Sequence, residues 1–280
     1  MNSGNPPGGA PAIELRGAGK EFRTPSGARH VAVRDLDLTV GRGEFVAVVG
    51  PTGCGKSTTL TLVSGLEEPT EGEVLVDGRP VTGIRPEVGF VFQQDAVFPW
   101  RTVLSNVMAG PRFRGVPKAE ARERARDWLG RVGLAAFADR YPHQLSGGQR
   151  KRVALAQTFV NDPAILLMDE PFSALDVQTR ALMSDELLEL WSGAPTGGTS
   201  ASVVFVTHDL EEAIALADKV VVMTAGPATV KQVFPIDLPR PRKVESVRLR
   251  PEFIEIYREI WSSLGEEVRI TRERGASRVA

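Results

Sequence analysis

The sequence predicts an α/β fold: a mainly parallel sheet, an antiparallel β subdomain ahead of it and a helical subdomain inserted within it. Three observations carry this. The segments "EFVAVVG", "EVGFVFQ", "AILLMDE", "SVVFVTH" and "KVVVMTA" are short, almost continuously apolar and rich in Val and Ile, as strands buried on both faces of a parallel sheet should be. Helical patterns with one apolar face separate several of them. Before most of them lie "AIELRGAGKEF", "HVAVRDLDLTV" and "EVLVDGRPV", which alternate with period two between turn residues and read as a small antiparallel sheet.

The order along the chain follows from composition. Residues 1–11, "MNSGNPPGGAP", are rich in Gly, Pro and Asn and predict a disordered tail with neither the basic start nor the apolar stretch of a signal peptide. Residues 12–226 hold the strands. Within them, about 94–160 lack strand patterns and read as the inserted helical subdomain, where "AEARERARDWLGRVGL" puts Ala121, Ala125, Trp128, Leu129 and Val132 on one face. "TRALMSDELLELW" and its lead-in place Val177, Ala181, Leu188 and Trp191 together, and "LEEAIALAD" places Leu210, Ala213, Ile214 and Ala217 together. "SGAPTGGTSAS", from Ser192 to Ser202, reads as a flexible loop. Residues 227–280 shift to Pro-rich connectors and a last helix, "PEFIEIYREIWSSLG", expected to dock on the core through Phe253, Tyr257, Ile260, Trp261 and Leu264.

Composition bounds the chemistry. With 280 residues, 42% of them hydrophobic, the chain can bury a large core, and its net charge of −1 lacks the basic excess of a nucleic-acid binder. The single cysteine, Cys54, excludes an internal disulfide and fits a reducing compartment. The apolar runs fall far short of the ~20 residues that a membrane-crossing helix needs, so any membrane role must come through partners.

"GPTGCGKST" matches the Gly-x4-Gly-Lys-Ser/Thr phosphate loop, between a buried strand and a helix-like "TTLTLVSGL". Its backbone from Gly50 through Pro51, Thr52, Gly53, Cys54 and Gly55 is expected to wrap phosphate. Lys56 would neutralise β- and γ-phosphate charge, Ser57 would ligate Mg²⁺, and Thr58 completes the motif. Cys54 sits beside Lys56 and amide donors, a setting that can favour thiolate, although a small residue filling a tight slot is the plainer expectation. Either way its thiol is expected near the nucleotide.

Three strand ends add the chemistry of hydrolysis. "AILLMDE" ends in Asp169, placed to hold Mg²⁺, and Glu170, placed to polarise an attacking water. "VTHD" puts His208 at the carboxyl end of the next strand, where it can contact a γ-phosphate. "VFQQ" offers Gln93 or Gln94. His30 and His143 have no such context. A second anion site appears at "LSGGQRKRVALAQ", where Ser146, Gly147, Gly148 and Gln149 open a helix whose free N–H groups and dipole favour negative charge.

Together these residues resemble the ATP-binding subunits of ABC transporters, from about Ile13 to the last helix. "LSGGQ" just before "AILLMDEPFSALD" is the most specific element. The resemblance implies a P-loop ABC-type ATPase core, selects Gln93 as the switch glutamine and a metal ligand, makes "SALD", ending in Asp176, the loop at a dimer interface, and gives Phe22 of "KEF" the place of an adenine-stacking aromatic. It also implies a partner. Two such subunits, here expected as a homodimer, pack head to tail with each ATP between the phosphate loop of one and the signature of the other, which explains two phosphate devices in one chain. Their closing and opening drives a transmembrane permease from the cytoplasmic face.

A chain without fused membrane spans points to import, with an extracytoplasmic solute-binding protein acting indirectly. "FPW" after the glutamine and the "DLPRPR…F…IY…IW" ending resemble the nitrate, sulfonate and taurine importer group. The contrasting expectation is a soluble ABC ATPase acting on nucleic acid or ribosomes, but such proteins carry a long coiled-coil insert or two cassettes, and this chain has neither. A non-hydrolysing nucleotide scaffold would not need Glu170, His208, Gln93 and the signature. Phe98 and Trp100, on the connector leaving Gln93, are expected either to pack inside the helical subdomain or to line a permease-docking groove.

Overall fold

The structure, a computed structural model, describes residues 10–23, 27–192 and 201–276. Most of the tail and most of the Ser192–Ser202 loop expected from the sequence lie outside the described residues.

The antiparallel sheet has the order β2-β1-β4-β5, from β1 (Ile13–Arg23), β2 (Arg29–Val40), β4 (Glu71–Val76) and β5 (Arg79–Pro80). The second sheet has the order β10-β9-β3-β8-β7-β6. Its strands β3 (Phe45–Val49), β6 (Val88–Val91), β7 (Ile165–Asp169), β8 (Ser202–Val206) and β9 (Lys219–Met223) are the five apolar segments, all parallel. β10 (Val230–Pro235) pairs antiparallel with β9 at the edge. The sequence predicts a connector here. Its half-exposed "VKQVFP" lacks the continuous apolar run of its neighbours because only one side of an edge strand is paired and covered.

Alternation along β3 divides the core in two. Phe45, Ala47 and Val49 face the helical side, with Leu166, Met168, Val203 and Phe205 of the neighbouring strands. Val46 and Val48 face the opposite side, packing with Val204, Val206 and Val221 against the antiparallel sheet and α1 (Lys56–Ser64). Each residue turns to the face opposite its neighbours, so one strand supplies both cores.

Between β6 and β7 the chain forms α2 (Val103–Val107), α3 (Ala109–Phe113), α4 (Lys118–Arg131) and α5 (Gly147–Phe159). Ala121, Ala125, Trp128 and Leu129 form the buried stripe of α4, and Trp128 lies 5.4 Å from the buried Phe159 ring. α6 (Val177–Ser192), α7 (Leu210–Leu216), α8 (Val244–Val247) and α9 (Pro251–Ala276) cover the same sheet face.

Two helix faces need correction. Val177 is 71% exposed, because it opens α6 just after its capping Asp176 while Met183, Leu187, Leu188 and Trp191 form the buried side. Trp261 is 58% exposed: the α9 stripe runs through Phe253, Ile260 and Leu264, and Trp261 lies on its flank, parallel to the Tyr257 ring at 6.2 Å. The helix docks on the core as expected.

Candidate active site

The phosphate loop joins β3 to α1. Gly55 adopts φ +124°, and a Cβ there would lie 2.5 Å from the Ala32 carbonyl oxygen and 2.8 Å from the Ala228 Cβ, so only glycine fits. Lys56 is buried and donates from Nζ to the carbonyls of Gly50 (2.9 Å) and Pro51 (3.0 Å), spanning the loop that it closes. Thr52, Gly53 and Ser57 are exposed, while Gly55 and Thr58 are half-buried. Of the two expectations for Cys54, the structure fits the small residue filling a tight slot. Its side chain is 3% exposed and packs with the core beneath the loop rather than outward. Burial pushes the thiol up, and the nearby Lys56 charge only partly opposes this, so a thiolate is disfavoured.

β6, β7 and β8 are neighbours in the sheet, so the residues following them share one edge. Glu170, just after β7, has φ +41°, unusual for a non-glycine residue, and its N–H donates to the Val206 carbonyl of β8 (2.9 Å). Its Oε2 accepts a hydrogen bond from Gln93 Nε2 (3.3 Å) and lies 3.2 Å from His208 Nδ1. Gln94 has no such contact. Asp169, at the end of β7, is half-buried beside Ser57 and Lys56. Burial pushes its carboxyl up, aided by the Glu170 charge, while Ser57 and Lys56 act against that rise. A hydroxyl and a carboxylate facing each other across a phosphate loop form an oxygen donor set of the type Mg²⁺ takes alongside phosphate. The donors present therefore fit the cation.

Behind His208 lies a network that the sequence did not single out. Glu212 Oε2 accepts from Thr207 Oγ1 (2.7 Å), and Thr207 Oγ1 accepts from the Asp209 N–H (3.0 Å), bracketing His208. Asp209 caps α7 through Oδ1, and its Oδ2 accepts from Arg180 Nη1 (2.9 Å). Burial, with the charges of Asp209 and Glu170 adding to it, pushes the Glu212 carboxyl up to about 7. Glu211 and Glu212 look alike in sequence. Only the helical register tells that the second turns inward.

The signature opens α5. Ser146 is its N-cap: Ser146 Oγ accepts from the Gln149 N–H (3.3 Å), and Gln149 Oε1 accepts from the Ser146 N–H (3.0 Å). Ser146 and Gly147 are exposed, Gly148 and Gln149 half-buried. α5 packs on α2, α4 and β6, whereas α1 packs on β4 and β7.

Residues 33–173 match the family model for ABC transporters. The chain belongs to the ABC transporter ATP-binding family. It is 47% identical to an uncharacterised ABC transporter ATP-binding protein of Methanocaldococcus jannaschii, covering 87% of this chain and 88% of that one. It is 43% identical to the taurine import ATP-binding protein TauB of Pseudomonas aeruginosa, over 81% and 86% of the two chains. With the nitrate import ATP-binding protein NrtD of Synechocystis it shares 40% identity over 84% and 88%. A dimeric ATP-binding cassette solved in a post-hydrolysis state with ADP and Pi superposes with a TM-score of 0.69 at 32% identity, covering 81% of this chain and all of that one.

In this ABC ATPase the remaining expected site residues fall as follows. Phe22, near the end of β1, is half-buried with the Lys20 ammonium 5.1 Å from its ring centre. It pairs with His30, two residues before the Ala32 carbonyl that touches Gly55. Asp176, expected among the nucleotide-binding residues and at the end of the interface loop, caps a helix. Its carboxylate accepts from the Thr179 N–H, from Thr179 Oγ1 (2.7 Å) and from the Gln178 N–H, which hold it below the usual carboxylate range while it caps α6. Phe98 is half-buried in a groove of about 230 Å³ with Phe90, Phe92 and Phe113, while Trp100 beside it is 72% exposed.

Proposed function

We propose that two copies of this ABC ATPase close head to tail around two ATP molecules, and that closing and reopening drives a separate membrane permease importing a small solute of the nitrate, sulfonate or taurine kind. The observation that carries the reading is the convergence of Gln93 and His208 on one carboxylate oxygen of Glu170, beside the phosphate loop. The taurine and nitrate import relatives support the solute class and the direction.

Each residue has a task in that reading. The loop amides and Lys56 bind phosphate, Phe22 stacks on the adenine, and Glu170 accepts a proton-side hydrogen bond from the attacking water. His208 and Gln93 fix the carboxylate's direction and face the γ-phosphate. Mg²⁺, when bound, supplies charge neutralisation at the phosphates, and Ser57, Asp169 and Gln93 would hold it. The exposed N-terminus of α5, with Ser146, Gly147 and Gly148, meets the γ-phosphate on the partner copy, and the loop ending at Asp176 lies at that interface. The groove at Phe98 receives a short permease helix. No described helix is long and apolar enough to cross a membrane, so attachment at the cytoplasmic face goes through that contact. A solute-binding protein delivers cargo on the far side, and nucleic acid has no part.

Glu170→Gln tests the assignment. The variant should bind ATP, turn it over roughly 10²-fold or more slowly and accumulate as an ATP-bound dimer on a sizing column. Turnover close to wild type would remove Glu170 from this role.

A further inference from the structure

The phosphate loop rests on a floor supplied by the segment between β9 and β10. A Cβ on Gly50 would lie 3.2 Å from the Met223 Cβ, one on Gly226 would meet the Cys54 backbone at 3.8 Å, and one on Gly55 would meet the Ala228 Cβ. The segment is itself tied to β2, since the Ala228 N–H donates to the Ala32 carbonyl (2.9 Å) and the Arg34 N–H to the Ala228 carbonyl (3.0 Å). Its other side is held from far along the chain by α9. Glu267 is buried, and its Oε2 accepts from the Ala225 N–H at 2.7 Å. Its Oε1 pairs with Lys231 Nζ on β10 at 2.9 Å. Two helical turns later, Arg274 Nη1 donates to the carbonyls of Ala225 (2.8 Å) and Gly226 (2.7 Å). Two charged side chains of α9 thus grip both polar sides of the Ala225 backbone, and the next peptide lies against Cys54.

Charge-assisted bonds to backbone are among the stronger hydrogen bonds, and nothing about docking a helix on a core requires them to end at this segment. We infer that Glu267 and Arg274 are positioning residues for the phosphate loop: through the 224–229 segment, the C-terminal helix sets the loop's shape and so the affinity for nucleotide. The inference rests on the reading of Gly50–Thr58 as the nucleotide loop. It gives the C-terminal helix a task besides covering the core.

Cys54 provides an independent reporter. It is the only cysteine in the chain, and it is buried in contact with this floor, so a maleimide reaches it only when the floor and loop part. In the full chain, Glu267→Ala and Arg274→Ala should each weaken binding of a fluorescent ATP analogue by roughly 3- to 10-fold, about 1 kcal/mol. Each should also speed maleimide labelling of Cys54 by a similar factor. Glu267→Gln keeps an acceptor for the Ala225 N–H and should restore most of both losses. Phe253→Ala, a buried position at the opposite end of α9, should lower the melting temperature while leaving affinity and labelling near wild type, which separates positioning from mere docking. Should Glu267→Ala fail to fold, Arg274→Ala, at an exposed position, still decides. Affinity and labelling both within about twofold of wild type in the folded variants would overturn the inference. If wild type itself fails to bind the analogue, the nucleotide reading falls, and the labelling rates alone decide whether α9 holds the loop.

Discussion

Replacing Glu212 by Gln should reshape the pH dependence of stability. Glu212 is 6% exposed, and Oε1 has no hydrogen-bond partner. Arg180 Nε stands 3.7 Å away, too far for a hydrogen bond, and the same guanidinium already serves Asp209. Burial therefore outweighs that attraction and raises the carboxyl from 4.5 to about 7 in the folded chain. A raised folded value means that the native state holds a proton the unfolded state has released. Its contribution to stability is whole below pH 4.5 and is lost as pH rises to about 7. At 1.36 kcal/mol per pH unit, the loss amounts to about 3 kcal/mol. The uncharged amide of the Glu212→Gln variant would carry no such loss while still accepting from Thr207. Urea unfolding of both proteins at pH 5, 6, 7 and 8 should show the variant gaining on wild type by about 2.5 kcal/mol across that range, most of it below pH 7. A stability difference constant within about 0.5 kcal/mol over that range would mean that Glu212 ionises normally and that Arg180 compensates for burial.

Two further outcomes follow from the loop and the groove. Gly55→Ala must relieve both φ +124° and the 2.5 Å approach to the Ala32 carbonyl, so nucleotide titration should show affinity reduced about tenfold or more, whereas Gly53→Ala, at φ +75° with no atom within 4 Å, should lose less. Phe98→Ala should leave ATP binding by the isolated subunit intact but abolish permease copurification and substrate-stimulated ATPase. Unchanged assembly would place that ring in the fold alone.

Much of the architecture was legible because burial on two faces leaves a plain mark. The strands β3, β6, β7, β8 and β9 are apolar at nearly every position, and their parallel order places Gln93, Glu170 and His208 on one edge. What escaped was set by one-sided environments. β10 is an edge strand, and Val177 and Trp261 sit where helical faces run out toward solvent. A glycine-rich loop also gives no sign of which side chain turns inward, so for Cys54 the sequence leaves open a thiolate facing phosphate and a small residue filling a tight slot, and the structure fits the second. The grip of Glu267 and Arg274 on Ala225 depends on contacts between segments more than 40 residues apart, for which no local pattern exists.

The pairing of β3 bears on when the chain becomes able to work. Among the described residues its neighbours in the sheet are β8 and β9, both encoded more than 150 residues downstream of it. On a ribosome adding about 5–20 residues per second, the strand bearing the phosphate loop waits roughly ten to thirty seconds or longer for either partner. The nascent chain carries β3 without either sheet neighbour throughout that interval, and the helices encoded in between can form before the sheet they will cover. Competence to bind nucleotide thus arrives near the end of synthesis, and an incomplete chain has no framework in which to spend ATP.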